Sequence, residues 1–423
     1  MPSAARNPRM PAVLLIAILL AIFCSTASAG EVWPQFRGPN GQGISDAKGL
    51  PIEWSETKNV RWKTPIHGRA WSSPVVWHDQ IWLTTATQDG KELSAIKLDR
   101  ETGKTLLDKV VFHIAKPQFC FDFNSYASST PVIEEGRIYV HYGSHGTACL
   151  DTTTGDTIWT RQDLPCNHHR GAGSSPILFG DLLFINFDGY DVQYVVALDK
   201  ATGRTVWKRD RDIDYGTSDG DAKKAYATPT IIEVAGRPLL ISPAAAGTTA
   251  YDPSTGEPVW RIRHGGMNAA SPPLFGHGLL YLNTADGGFR EFAVPPTGTG
   301  DITASVVWKQ QQAMPVRCAP LLIDDLLFMV NEAGILSCLD AATGDLIWRH
   351  RLGGHYSASP VYADGRIYFC SQDGDLPVIA AARHYEPLAT NQLDDGCMAS
   401  PAIAGRSLFI RTRKSLYCIE QEK

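Results

Sequence analysis

The chain has 423 residues, with 39 Lys and Arg against 44 Asp and Glu and a formal net charge of −5. That acidic balance excludes nucleic acid as the main partner, because such binding is driven by clustered cations that neutralise phosphates. Hydrophobic residues make up 43% of the chain, enough for a large core, and beyond the first 29 residues no apolar run is long enough for a transmembrane helix.

Residues 1–29 read as a signal peptide. Arg6 and Arg9 precede an apolar stretch over 12–23, and Ala27-Ser28-Ala29 supplies the small-x-small pattern of a cleavage site. The mature chain is therefore expected to begin at Gly30 and to be exported to the periplasm or cell envelope. Cys24 follows the bulky Phe23, where lipoprotein processing takes a small residue, so cleavage after Ala29 is the expected route. Residues 30–58 contain Trp33-Pro34-Gln35-Phe36-Arg37-Gly38-Pro39, rich in aromatics and turn formers, and are expected to form an ordered but irregular arm.

From residue 59 to 423 the chain repeats. A small residue followed by proline opens a short apolar run at Pro74, Pro131, Pro176, Pro229, Pro272, Pro320, Pro360 and Pro401. The spacing averages about 47 residues, the size of one four-stranded propeller blade. In the third repeat, apolar runs at 175–179, 182–187 and 194–198 are divided by Gly and Asp turns and end in Thr205-Val206-Trp207. A signature Asp-x-x-Thr-Gly-x-x-x-Trp precedes the last strand of four repeats: Asp151/Gly155/Trp159, Asp199/Gly203/Trp207, Asp252/Gly256/Trp260 and Asp340/Gly344/Trp348. Asp accepts turn amides, Gly takes positive φ, and Trp brings apolar surface to the seam between blades. A degenerate copy at Asp99/Thr102/Gly103 has Leu107 in place of Trp, and repeats five and seven diverge at 295–300 and 383–386.

The last repeat supplies only three strands, while 59–64 is an orphan strand with its own Trp62. The expected fold is therefore all-β: an eight-bladed propeller of four-stranded antiparallel blades, the last closed by the N-terminal strand.

The prolines also serve as a ruler for the channel mouth. Five residues before them stand Arg69, Tyr126, Gly171, Lys224, Met267, Pro315, His355 and Gly396; three before stand Trp71, Ser128, Gly173, Tyr226, Ala269, Arg317, Ser357 and Met398. Adding the neighbours Arg170 and Tyr356, the candidate funnel residues are Arg69, Trp71, Tyr126, Arg170, Lys224, Tyr226, Arg317, His355 and Tyr356. A cationic, aromatic mouth suits an anionic or carbohydrate ligand, and the alternative is that these side chains merely plug the funnel.

No catalytic or metal-ligating set is expected. Asn167-His168-His169-Arg170 places two adjacent histidines on what reads as a strand, where they would face opposite ways. His141 and His145 sit four apart beside a turn, and Asp188-Gly189-Tyr190-Asp191 and Asp373-Gly374-Asp375 read as hairpin chemistry. With Cys24 removed an even number of cysteines remains, of which Cys149, Cys338 and Cys418 occupy matching strands and read as buried thiols. Cys120 and Cys166, both preceding inner strands, are the pair expected to bridge if any does.

The signature copies resemble the PQQ-type repeats of quinoprotein alcohol dehydrogenases and of the outer-membrane assembly lipoprotein BamB. Trp33-Pro34-Gln35-Phe36-Arg37-Gly38 and Cys149-Leu150-Asp151 also resemble exported BamB-like propellers common in planctomycete-type bacteria. The BamB side of the resemblance implies a non-catalytic, monomeric scaffold that binds a protein partner or an extracellular polymer and needs no cofactor. The dehydrogenase side implies PQQ with Ca²⁺ over the channel and an adjacent-cysteine ring, and no Cys-Cys pair occurs here.

Overall fold

The computed structural model describes residues 31–422 and contains eight sheets, each built on four antiparallel strands; blade four gains a parallel fifth, and the last sheet joins the first strand of the chain to its last three. Blade three shows how the sequence builds one. Ile177–Phe179, Leu182–Asp188, Gln193–Asp199 and Thr205–Asp210 pair in order, turning at Gly180 and at Gly203, both with positive φ. The two middle strands are buried along nearly their whole length, and the outermost exposes its flanks while sinking Trp207. The first strands of neighbouring blades touch around the axis.

Val60–Pro65 pairs antiparallel with Ser415–Glu420, with Trp62 opposite Cys418, so the first and last segments complete one sheet. This closure leaves no incomplete blade in the described ring. The asparagine before the strand fastens it, Asn59 accepting from the amides of Glu420 (2.9 Å) and Glu422 (3.0 Å).

The tryptophans lock each blade onto the next. Trp159 packs on Gly203, Trp207 on Gly256, Trp308 on Gly344 and Trp62 on Gly103, where an added methyl would stand 2.5–2.7 Å from the ring. Each indole Nε1 also donates to a carbonyl of the following turn: Trp159 to Lys200, Trp207 to Pro253, Trp308 to Ala341 and Trp62 to Arg100, at 2.9–3.0 Å. Leu107 fills the same seat on Gly155 in the degenerate copy. The divergent repeats keep the contact by other means, Trp260 donating to Pro296 and Trp348 to Ala382. The insertion in repeat five departs from the four-strand expectation: Gly300–Asp301 runs parallel to Pro258–Arg263 as a fifth strand of blade four.

The small residue before each proline has a role of its own. Its hydroxyl accepts an amide from the preceding blade: Ser73 N–H to Thr130, Thr130 to Ser175, Ser175 to Thr228, Ala319 to Ser359 and Ser359 to Ser400, all at 2.9–3.0 Å. The belt breaks where Pro272 and Ala319 occupy that place. Blade five starts at Leu274, so its repeat proline is Pro273 and the sequence ruler runs one residue short there.

The arm crosses the end of the channel away from the mouth. Trp33 pairs with Val76 of blade one, Pro34 accepts from Ile133 of blade two, and Ser45 donates to Tyr362 of blade seven. Arg37 is fully buried at this crossing and donates to the carbonyls of Pro320 (2.6 Å), Gln42 (2.8 Å) and Pro360 (3.2 Å). Further on, Trp54 stacks against Tyr368 beside the seam between blades seven and eight, and Asn391 holds its backbone.

Candidate functional site

A cavity of about 400 Å³ lies on the ring axis. Its walls follow from the alternation of an extended chain: residues one and three before each strand-opening proline face the axis. All eight positions three before the proline line it, as Trp71, Ser128, Gly173, Tyr226, Ala270, Arg317, Ser357 and Met398. Below them come Ser73, Thr130, Ser175, Thr228, Ser359 and Ser400, and Phe36 of the arm closes the floor. The cavity is thus blind, with polar hydroxyls at depth and aromatic and cationic groups near its mouth.

The candidate funnel residues separate into two groups. Trp71, Arg170, Tyr226 and Arg317 stand on the wall, and Arg69 stands at the rim over Trp71, 5.6 Å from the ring. The other four are turned away, because the chain five residues before the proline has left its extended course. Lys224 is wholly buried, its ammonium on the His168 carbonyl, and burial pulls its pKa down to about 8. Tyr356 is buried against Phe369, and Tyr126 donates to the Gln118 carbonyl at 2.8 Å. His355 points to solvent beside Asp373, at 3.1 Å. In repeat five the wall positions are Asn268 and Ala270 in place of Met267 and Ala269, as the shifted proline requires.

Three arginines define the electrostatics. Arg170 is paired with Asp221 at 2.5 Å, and Arg69 reaches the exposed Asp122 at 3.9 Å. Arg317 differs: its guanidinium lies 4.3 Å from the centre of the Phe123 ring and, among the described residues, meets no carboxylate and has a buried Nε with no hydrogen-bond partner. Glu332 fixes the backbone beneath it, accepting from the amides of Val316 (2.6 Å) and Arg317 (2.8 Å). Across the cavity Gly173 leaves room for Tyr226, whose side chain would meet a methyl there at 3.0 Å. Burial pushes the Tyr226 phenol well up, so it stays a neutral hydrogen-bonding group.

Phe121 and Phe123 also line the cavity, beyond the positions that the repeat prolines mark. Both lie in the insertion after blade one, outside the repeat, so no ruler reaches them; the run Phe119-Cys120-Phe121-Asp122-Phe123 was the available signal. Trp71 Nε1 donates to the Phe123 carbonyl at 3.0 Å, coupling this insertion to the wall.

The histidine motifs serve structure. His168 and His169 lie in a loop rather than a strand; His168 accepts from the Ser144 amide at 3.1 Å, and His169 packs between Phe119 and Tyr190. His145 accepts from the Gln118 amide and His141 bonds Thr147. Asp188 is buried against Arg211 at 2.7 Å, and Asp191 accepts the Asn167 and Val192 amides. The expected Cys120–Cys166 bridge is not formed: the Cys120 sulfur points to the Phe121 and Arg170 carbonyls, and Cys166 is buried beside His168.

A PQQ-repeat family model described as outer membrane protein assembly factor BamB matches residues 115–210 and 191–423. The chain belongs to this BamB-type PQQ-repeat family. It is 26% identical over 213 residues to the outer membrane protein assembly factor BamB of Legionella pneumophila, covering 48% of this chain and 50% of that protein. It is 31% identical over 177 residues to a quinoprotein ethanol dehydrogenase of Pseudomonas putida, covering 36% and 26%. The chain thus spans about half the length of its BamB relative and about a quarter of the dehydrogenase. The crystal structure of BamB from Moraxella catarrhalis superposes with a TM-score of 0.59 at 14% identity, over 85% of this chain and 99% of that one. That likeness is one of fold.

Proposed function

We propose that this BamB-type propeller is an exported, non-catalytic binding protein that holds an anionic ligand with an apolar or sugar face in its blind funnel. The observation that carries this reading is Arg317, a cation on the cavity wall with no acidic partner and an aromatic ring beneath it. A carboxylate would complete its hydrogen bonds, while Trp71 and Phe123 offer faces for a pyranose ring or apolar group. Relatives named for outer-membrane assembly and the leader-like residues 1–29 support export.

The experiment is a titration of tryptophan fluorescence with trigalacturonate and, in parallel, neutral maltotriose. The acidic sugar is expected to bind the wild type, and Arg317→Gln to weaken it by ten-fold or more, the worth of a charge-assisted pair. Equal binding of both sugars, or none lost in the variant, contradicts the reading.

One feature favours a protein partner as the second reading. Phe119, Phe121 and Tyr190 are 63%, 50% and 40% exposed beside the mouth, and apolar groups so exposed mark interaction surfaces. The dehydrogenase reading finds less support in the residues. A calcium ion takes six to eight oxygen ligands, whereas the cavity wall carries one carboxylate, Asp286, already bonded to Asn268 at 2.9 Å, and no cysteine.

A further inference from the structure

Cys370 and Cys397 are a pair that the repeat does not require. Cys370 follows the second strand of blade seven, Arg366–Tyr368, and Cys397 lies in the connection that leads to blade eight. The two backbones are laced together. Cys397 N–H donates to the Ser371 carbonyl at 2.8 Å and Leu393 N–H to Gly374 at 3.1 Å, while Arg413 clamps the carbonyls of Gln372 and Asp395 at 2.7 and 2.8 Å. Gly396, with φ 57°, lets the connection press onto the Gln372 carbonyl, where a methyl would stand 1.9 Å away. Both sulfurs are buried in the same core cluster, and the bond from Cys397 N–H to the Ser371 carbonyl sets the two cysteines side by side.

The neighbouring Cys397 thiol, followed by burial, holds the Cys370 thiol well above its ordinary range, so the folded pair resists exchange with outside thiols. A bond between them has to close while the connection is still forming. Its consequence reaches the cavity, because Met398 and Ser400, directly after Cys397, are wall residues.

We propose that Cys370 and Cys397 are oxidised to a disulfide in the exported protein, stapling the cavity-wall segment 397–400 to blade seven. In the reaction the two thiols give up two protons and two electrons to a disulfide-bearing oxidase of the envelope. That oxidase is reduced to its dithiol as the sulfur–sulfur bond forms. The proposal rests on the export reading and is independent of which ligand the funnel takes.

The test uses the full chain secreted into an oxidising bacterial periplasm, quenched in acid, denatured and alkylated without reduction before peptide mapping. The mature N-terminus is read in the same digest. The expected result is a linked pair of peptides containing Cys370 and Cys397, two hydrogens lighter than the free peptides together, with Cys120, Cys149, Cys166, Cys318, Cys338 and Cys418 alkylated. Alkyl groups on both Cys370 and Cys397, or a link from either to another cysteine, overturns it. If the leader is found uncleaved, refolding of residues 30–423 with oxidised glutathione as the electron acceptor gives the same two outcomes. As a second readout, wild type reduced in denaturant and refolded under reductant is expected to melt below the oxidised wild type, and the Cys370→Ser/Cys397→Ser double variant to melt alike after both treatments. An unchanged wild type overturns the link, whereas loss of trigalacturonate binding with the link intact would overturn only the funnel reading.

Discussion

Glu291 lies wholly inside blade five, its carboxyl group bonded to the Asn283 amide at 2.9 Å, and burial raises its pKa to about 8. Its folded value thus exceeds that of the unfolded chain, near 4.5, so its contribution to stability is fully present below that value and is lost as pH rises through 8. Denaturant titrations between pH 5 and 9 should show the wild type losing a few kcal/mol over this window. Glu291→Gln, which keeps the shape and cannot ionise, should flatten the dependence; an equal slope in the variant would assign it elsewhere. The buried arginines make the complementary point. Arg211 has Asp188, and Arg411 donates to Ser72 and Thr84 with its pKa lowered to about 9 by burial. Arg317, half-buried on the cavity wall, differs from both: among the described residues its guanidinium has no acidic partner and its Nε no acceptor. A cation left in that state is better explained by a missing partner than by packing.

At the scale of elements, the arm and the blades were unequally legible in the sequence. Blade strands follow from apolar runs bounded by Gly and Asp turns, and the Trp-on-Gly seams follow from the signature, because both are local and repeated. The arm's placement depends on contacts such as Arg37 with Pro320 and Pro360, some three hundred residues away, which no local pattern encodes. The ruler failed where its own marker was ambiguous, at the double proline 272–273, and beyond the extended segment, where Lys224 and Tyr356 turn inward. Arg37 also yields a prediction. Three carbonyls depend on it, and each left without a donor costs about 1–3 kcal/mol. Arg37→Met should therefore release the arm, seen as rapid proteolytic cleavage between residues 33 and 50 in a protein whose far-UV spectrum still reports an intact ring. Resistance equal to the wild type would show that Trp33 and Trp54 suffice to hold it.

For the whole molecule, closure by Val60–Pro65, the plug at Phe36 and Arg37, and the ring of residues three before each proline together make a rigid cup rather than a through-channel. Its floor is hydroxyl-lined and its mouth aromatic and cationic, on a chain whose formal net charge is −5. Such a cup selects by charge at the lip and by shape at depth. The most direct test is a crystal structure of the protein soaked with trigalacturonate. The account predicts sugar density inside the cup, a ring face against Trp71 or Phe123 and a carboxylate on the Arg317 guanidinium. Density confined to the outer rim around Phe119 and Tyr190, or a cup that stays empty at saturating sugar, would contradict it.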